Sequence, residues 1–305
     1  MVTIALALGG VVVWGFCDLL IAQFTRHAAT VTAIAVTTFA SFALALPLAL
    51  AVGGLPEGAG EWRAAGYAAV GGIFYLAAYG ALVAALSRGD LSVVAPLAAL
   101  DGAFGAILAI ALGDPVDWIT AVGLSLAAFG GALAAAAPRR AHEAAASRAT
   151  SGADPAPDAV AADPPEHRRL VAGAGYAVLS GLSIAIALQF FGHTDEVPAT
   201  TTVAVARTVG LAMIVPVALA TTGLMVPRRL WPAVLLIAVT DVGGFVFVAA
   251  ATARGPVSVV AVVVAQVALM GLALGLIVLH ERPLPRQLVG AAVAIAGVTV
   301  LGLAA

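Results

Sequence analysis

The sequence predicts an all-α membrane protein of ten transmembrane helices in two inverted five-helix repeats. Three observations carry that expectation. Of the 305 residues, 62% are hydrophobic and 10% charged, against about 25% charged in a soluble domain. The apolar residues gather into ten runs of roughly 20, the length that crosses a hydrocarbon core. The chain also repeats itself across its middle, with five runs in each half.

The first five runs occupy residues 2–24, 30–52, 64–86, 91–112 and 118–137. The opening segment, MVTIALALGG, has no basic flank, so it is expected to stay as the first span rather than act as a cleaved signal. The second five occupy 170–191, 199–222, 230–252, 256–279 and 287–304. The links between them are mostly short, which makes neighbouring spans antiparallel. The one long break, 138–169, is rich in Ala, Pro, Asp and Arg. It has too few apolar residues to fold alone and reads as a flexible, solvated linker between repeats at 1–137 and 170–305.

The repeat is visible in the loops. LSRGDLSVV from Leu86 aligns with TARGPVSVV from Thr252, between the third and fourth runs of each half. LGDPVDWITAVGLSLAAFGG from Leu112 aligns with LHERPLPRQLVGAAVAIAGV from Leu279. That second alignment sets Gly123 against Gly290, Gly130 against Gly297 and Asp114 against Glu281. Pro47 and Pro216 hold like places in the second run of each half. Because five is odd, two like halves in series must lie in the membrane with opposite orientation. Inverted halves around a midplane site are a recurrent plan of secondary transporters.

Composition excludes several classes. The 14 basic residues are all arginine and the net charge is −2, so nucleic-acid binding is not expected. Cys17 stands alone, which excludes an intramolecular disulfide or a cysteine metal cluster. There is no phosphate-binding loop, and His280-Glu281 lacks the second histidine of a zinc-protease motif. His193, Asp195 and Glu196 read as a solvated loop. No cofactor, metal or catalytic constellation is expected.

Ionisable side chains inside a span cost a few kcal/mol and mark functional positions. Asp241 is central in AVTDVGGFVF, where Gly243 and Gly244 permit close backbone approach or a local break. It reads either as a proton-coupling group or as the structural partner of Arg207. Asp101, in LAALDGAFGA, is read as lining a cavity. Arg207, in TVAVARTVG, reads as a fork for a substrate carboxylate, as a partner for an aspartate, or as a residue snorkelling to the interface. Asp18 lies one turn from Trp14 on the same face and is either interfacial or cavity-lining. Trp14 stacks on substrate or simply packs. Gln189 and Gln266 are expected to hydrogen-bond between helices. Gly271 and Gly275 form a GxxxG pattern that favours close helix packing.

On Trp14-Gly15, Arg207 and the terminal run HERPLPRQLVGAAVAIAGV, the chain resembles the EamA branch of the drug/metabolite transporter superfamily. The order Glu281, Gln287, Gly290 is the most specific part. The resemblance spans everything except the linker and implies ten helices in two five-helix repeats. It also implies export or exchange of small metabolites, amino acids being a common class. The first repeat departs from the pattern at Asp114, Thr120 and Thr38, which face Glu281, Gln287 and Arg207. The expected function is alternating-access secondary transport of an amino-acid-like or amphipathic metabolite, with proton coupling through Asp101 or Asp241 as a further expectation. The alternatives are a flippase for a lipid-linked or amphipathic substrate, and a non-transporting scaffold or intramembrane enzyme. The expected partners are a small-molecule substrate and the lipid bilayer of a bacterial plasma membrane. Whether a homodimer forms is not fixed by the sequence.

Orientation is contested. Arg26, Arg88, the five linker arginines, Arg228, Arg229, Arg282 and Arg286 fall on the face opposite the termini; Arg63 and Arg254 share the termini face. The positive-inside rule puts the linker in the cytoplasm. The resemblance implies cytoplasmic termini.

Overall fold

Lipid offers no hydrogen bonds, so an apolar run must satisfy its backbone within itself and closes into a helix. The computed structural model describes residues 1–24, 28–53, 55–88, 97–135, 166–277 and 284–304, and among them every apolar run is helical and no strand occurs. The helices are α1 (Val2–Phe24), α2 (Thr30–Val52), α3 (Ala59–Arg88), α4 (Asp101–Ala111), α5 (Trp118–Ala135) and α6 (Glu166–Phe191). They continue with α7 (Ala199–Thr221), α8 (Trp231–Thr252), α9 (Val257–Val264), α10 (Val267–Ile277) and α11 (Pro285–Ala304). Nine helical stretches among the described residues are long and apolar enough to cross a membrane, with α9 and the start of α10 counted as one. α4 adds a shorter apolar helix.

The helix ends differ from expectation in two places. α3 extends beyond 64–86 at both ends, and α6 begins at Glu166, so the last residues assigned to the linker are helical. Residues 91–96, the linker over 138–165, Gly275's surroundings, and His280 and Glu281 lie outside the described residues.

The fourth and ninth runs are broken rather than continuous. Turns fall at Ala99–Leu100 and at Ala265–Gln266. At each, an amide reaches back three residues instead of four: Leu100 N–H donates to Leu97 O at 3.3 Å and Gln266 N–H to Val263 O at 3.0 Å. The offset that aligns Leu86 with Thr252 also aligns these two breaks. Gly243-Gly244, in contrast, leaves α8 unbroken. Its role is close approach, because a Cβ on Gly244 would collide with the Trp14 ring.

Helix pairing has the symmetry of an inverted repeat. α1 packs on α8 and α3 on α6, two pairs that exchange when the halves are swapped. α2 packs on α7, α4 on α9, and α5 on α11, and each of these maps onto itself. In the α5–α11 pair, a Cβ on Gly130 would meet Ala294 and the Gly290 carbonyl, and one on Gly297 would meet Ala127 and the Gly123 carbonyl. Swapping the halves converts one contact into the other. Small residues let antiparallel backbones touch here. The expected GxxxG packing is not found at Gly271, where an added Cβ meets nothing within 4 Å.

The bundle is inside out relative to a soluble protein. Its buried core is dominated by alanine and valine, while Phe39, Ile107, Phe129, Leu219, Leu235 and Ile295 are exposed. Large side chains facing outward suit lipid, where burial between helices gains no hydrophobic energy. Trp62, Trp118 and Trp231 lie exposed at or near the starts of α3, α5 and α8, the ends of spans where an aromatic belt forms. Trp14 alone of the four tryptophans lies well inside a span. Polar contacts tie the termini face. Asp114 Oδ2 accepts from Ser258 N–H at 2.8 Å, capping α9. Arg63 pairs with Glu196 at 2.5 Å, and Thr3 donates to Arg254 O at 3.2 Å. Asp117 caps α5 by accepting from Thr120 N–H at 2.7 Å, and its bonds to the Thr120 side chain and amide hold its carboxyl below the usual carboxylate range.

Candidate functional site

The two halves leave between them a cavity of about 220 Å³. Of its lining residues, Trp14, Gly72, Ala206, Asp241 and Val264 lie near mid-span, and Ile21, Ile34 and Leu82 lie toward the linker face. The termini half of the bundle is filled by one apolar cluster that includes Ile4, Ala49, Phe191, Phe245, Val248 and Val260. The linker half has two separate clusters: one of Cys17, Phe24, Ala33, Val36, Val234 and Ile237 on α1, α2 and α8, the other of Ala85 and Ala177 on α3 and α6. The cavity lies between those two walls. Among the described residues, this conformation is packed on the termini side and parted on the linker side.

At the closed end is a buried ion pair. Arg207 Nη2 donates to Asp241 Oδ1 at 2.6 Å, and Ser41 Oγ donates to Asp241 Oδ2 at 2.7 Å. The guanidinium lies 4.8 Å from the centroid of Tyr75 and 4.9 Å from that of Phe245. Each ring presents its negative face to the cation. Arg207 is 7% exposed. Trp14 Nε1 donates to Asp241 O at 3.3 Å, and Trp14, Tyr75 and Phe245 contact one another as rings. Gly72 makes room for this group: a Cβ there would come within 2.8 Å of the Ala206 backbone, so α3 and α7 touch one residue from Arg207.

Five of the seven sequence-selected residues line this cavity: Trp14, Asp18, Asp101, Arg207 and Asp241. Asp18 is exposed and lines it. Asp101 begins α4 at the break in the fourth run, and its Oδ1 accepts from Gly102 N–H at 2.7 Å. Gln189 and Gln266 do not line it; both are buried between helices. Gln189 Nε2 donates to Gly105 O at 3.2 Å, joining α6 to α4. Gln266 Nε2 donates to Val262 O at 2.8 Å and Ala127 O at 3.3 Å, fastening the second break to α5.

Tyr75, Tyr79, Phe245 and Ser41 were not singled out from the sequence. For Tyr75 a signal existed: carrying the Leu86–Thr252 alignment back through the third and eighth runs sets Tyr75 opposite Asp241. Arg207 is thus held between a residue and its own repeat mate. Ser41 had no such signal, being one hydroxyl in an Ala-rich helix.

Apolar spans in two like halves, with charges buried at the cavity between them, define a multi-pass membrane transporter of the drug/metabolite type. The chain belongs to the EamA-like transporter family, which matches residues 1–136 and 171–303, one stretch for each repeat. That family comprises transporters rather than enzymes. Compared with curated proteins, the sequence has no match. Among solved structures 24 chains are similar. One of them, a crystal structure of a protein, shares 16% identity with a TM-score of 0.75, covering 99% of this chain and 97% of that one. At that identity the likeness concerns the fold alone.

Proposed function

We propose that the protein is a secondary transporter that carries a small metabolite by alternating access, with the cavity between the repeats as its substrate site. The observation that carries this reading is the asymmetry of packing around that cavity, filled on the termini side and parted on the linker side. Exchanging the conformations of the two halves would part the termini side and close the linker side. The aligned breaks at Ala99–Leu100 and Ala265–Gln266 give each half a place to bend. Proton coupling is assigned to Asp101 rather than Asp241, because Arg207 already neutralises Asp241. Counterflow by purified protein in vesicles, against labelled metabolites, tests transport. With a transported solute in hand, and at solute concentrations that saturate the variant, Asp101→Asn is expected to keep exchange and lose uptake driven by a pH gradient. Unchanged pH-driven uptake in that variant would remove the coupling assignment. Movement of lipid-linked probes alone would favour the flippase alternative, and no movement of any solute would favour a scaffold.

A further inference from the structure

α2 and α7 are repeat mates packed on each other. A contact at one end of this pair should therefore recur at the other end, unless the conformation makes the two ends differ. The offset that sets Pro47 against Pro216 and Thr38 against Arg207 also sets Thr32 against Thr201 and Gly53 against Thr222. Both helices have 23 residues, and the backbone at their ends is alike. Ala29 (φ −58°, ψ 139°) matches Pro198 (φ −56°, ψ 145°), and Gly53 (φ −123°, ψ −15°) matches Thr222 (φ −120°, ψ −14°).

The side-chain bonds at the two ends are not alike. At the linker face, Thr32 Oγ1 donates to the Gly223 carbonyl at 2.9 Å and shares a hydrogen bond with Thr222 Oγ1 at 2.8 Å. These bonds tie the start of α2 to the end of α7. At the termini face, the mate Thr201 is 5% exposed, and its hydroxyl has no partner among the described residues. The end of α2 is nevertheless beside it: a Cβ on Gly53 would stand 3.1 Å from Thr201 Oγ1 and 2.6 Å from Pro198 Cγ. Because the local backbone is the same, the difference lies in how the two helices are set against each other. A buried hydroxyl left unbonded bears its whole desolvation cost, a cost that valine, of nearly the same shape, would avoid.

Resting on the transporter reading above, we propose that Thr32 and Thr201 are positioning residues for alternating access, bonded in turn. With the linker side parted, Thr32 is bonded and Thr201 is not. In the exchanged conformation Thr201 bonds a main-chain carbonyl at the end of α2, and Thr32 loses its partners. Each conformation then holds one latch and forgoes the other, which keeps the two close in energy. The test reads that balance without a substrate, by maleimide labelling of the full-length protein on a Cys17→Ala background. The reporters are Leu82→Cys, which lines the cavity, and Val248→Cys, in the cluster that fills the termini half. Thr32→Val is expected to raise labelling at Val248→Cys and lower it at Leu82→Cys, each about fivefold. Thr32→Ser, which keeps the hydroxyl, should label as the parent does. Thr201→Val should raise the melting temperature, and added to Thr32→Val it should reverse the labelling shift. A Thr32→Val variant that melts lower with labelling unmoved at both reporters makes the bond a static one and overturns the proposal. A labelling shift that persists in the double variant overturns the role of Thr201. Counterflow by the unaltered protein tests transport separately, so the latches can fall while the transporter reading stands.

Discussion

Arginine does not give up its proton inside a protein, so Arg207 must keep a counter-charge wherever the bilayer surrounds it. Asp241 supplies that charge, and Ser41, Tyr75 and Phe245 complete its surroundings. Removing one member of such a pair leaves the other desolvated and unpaired, at a cost of about 3–5 kcal/mol. Arg207→Ala and Asp241→Ala should therefore each lower the melting temperature in detergent sharply. The double variant Arg207→Met/Asp241→Leu should recover much of the loss, because apolar groups of similar volume replace a buried pair at little cost. Additive losses in the double variant would mean that the two charges are not energetically coupled. The sequence alone left Arg207 open to three readings, a substrate fork, an aspartate's partner or a snorkelling residue, since nothing in one chain says which face of α7 meets α8. The pairing became definite only once Gly72 and Gly244 fixed how closely α3 meets α7 and α1 meets α8.

At the scale of elements, glycine placement sorts helix contacts that composition cannot. The chain has 33 glycines, so any one GxxxG is weak evidence. Gly130 and Gly297 stand where α5 and α11 touch backbone to backbone, whereas Gly271 faces open space. Adding a methyl group to a well-packed contact costs roughly 1–3 kcal/mol, and exposed substitutions usually stay within about 0.5 kcal/mol. Gly130→Ala and Gly297→Ala should each lower thermal stability, while Gly271→Ala should leave it unchanged. Equal effects at all three positions would contradict the packing described. The helices themselves were readable because length and hydropathy suffice for a span. The break at Ala265–Gln266 was not, because neither proline nor glycine stands beside it; the one at Ala99–Leu100 has Pro96 and Gly102 close by, but neither falls on the turn itself. A turn between two valine- and alanine-rich segments is made by what packs around it, in this case Gln266 bonding to the Ala127 carbonyl on α5.

For the whole molecule, the two inverted halves were legible because loop motifs recur with an odd number of spans between them, and the pairing of helices has that same symmetry. The cavity was legible only as a short list of ionisable residues; its aromatic lining and its opening toward the linker depend on contacts between distant helices. Which compartment that opening faces follows from absolute orientation. The arginine bias puts the linker face in the cytoplasm, so the described conformation is expected to be open to the cytoplasm. Two measurements on one cysteine-free background, Cys17→Ala, test both parts. A periplasmically active reporter fused after the last residue should be active and a fluorescent cytoplasmic reporter dark. Single cysteines at Thr37 and Leu82, which line the cavity, should react with an impermeant maleimide in inverted vesicles and be protected in spheroplasts. A cysteine at Val248, within the cluster that fills the termini half, should stay unreactive in both. Loosening the termini face with Arg63→Ala/Glu196→Ala should raise labelling at Val248→Cys from the spheroplast side and lower it at Thr37→Cys, because one face opens as the other closes. Reaction at Thr37→Cys in spheroplasts but not in inverted vesicles would reverse the orientation while keeping the open face. Unchanged labelling in the loosened variant would detach the Arg63–Glu196 pair from the closing of that face.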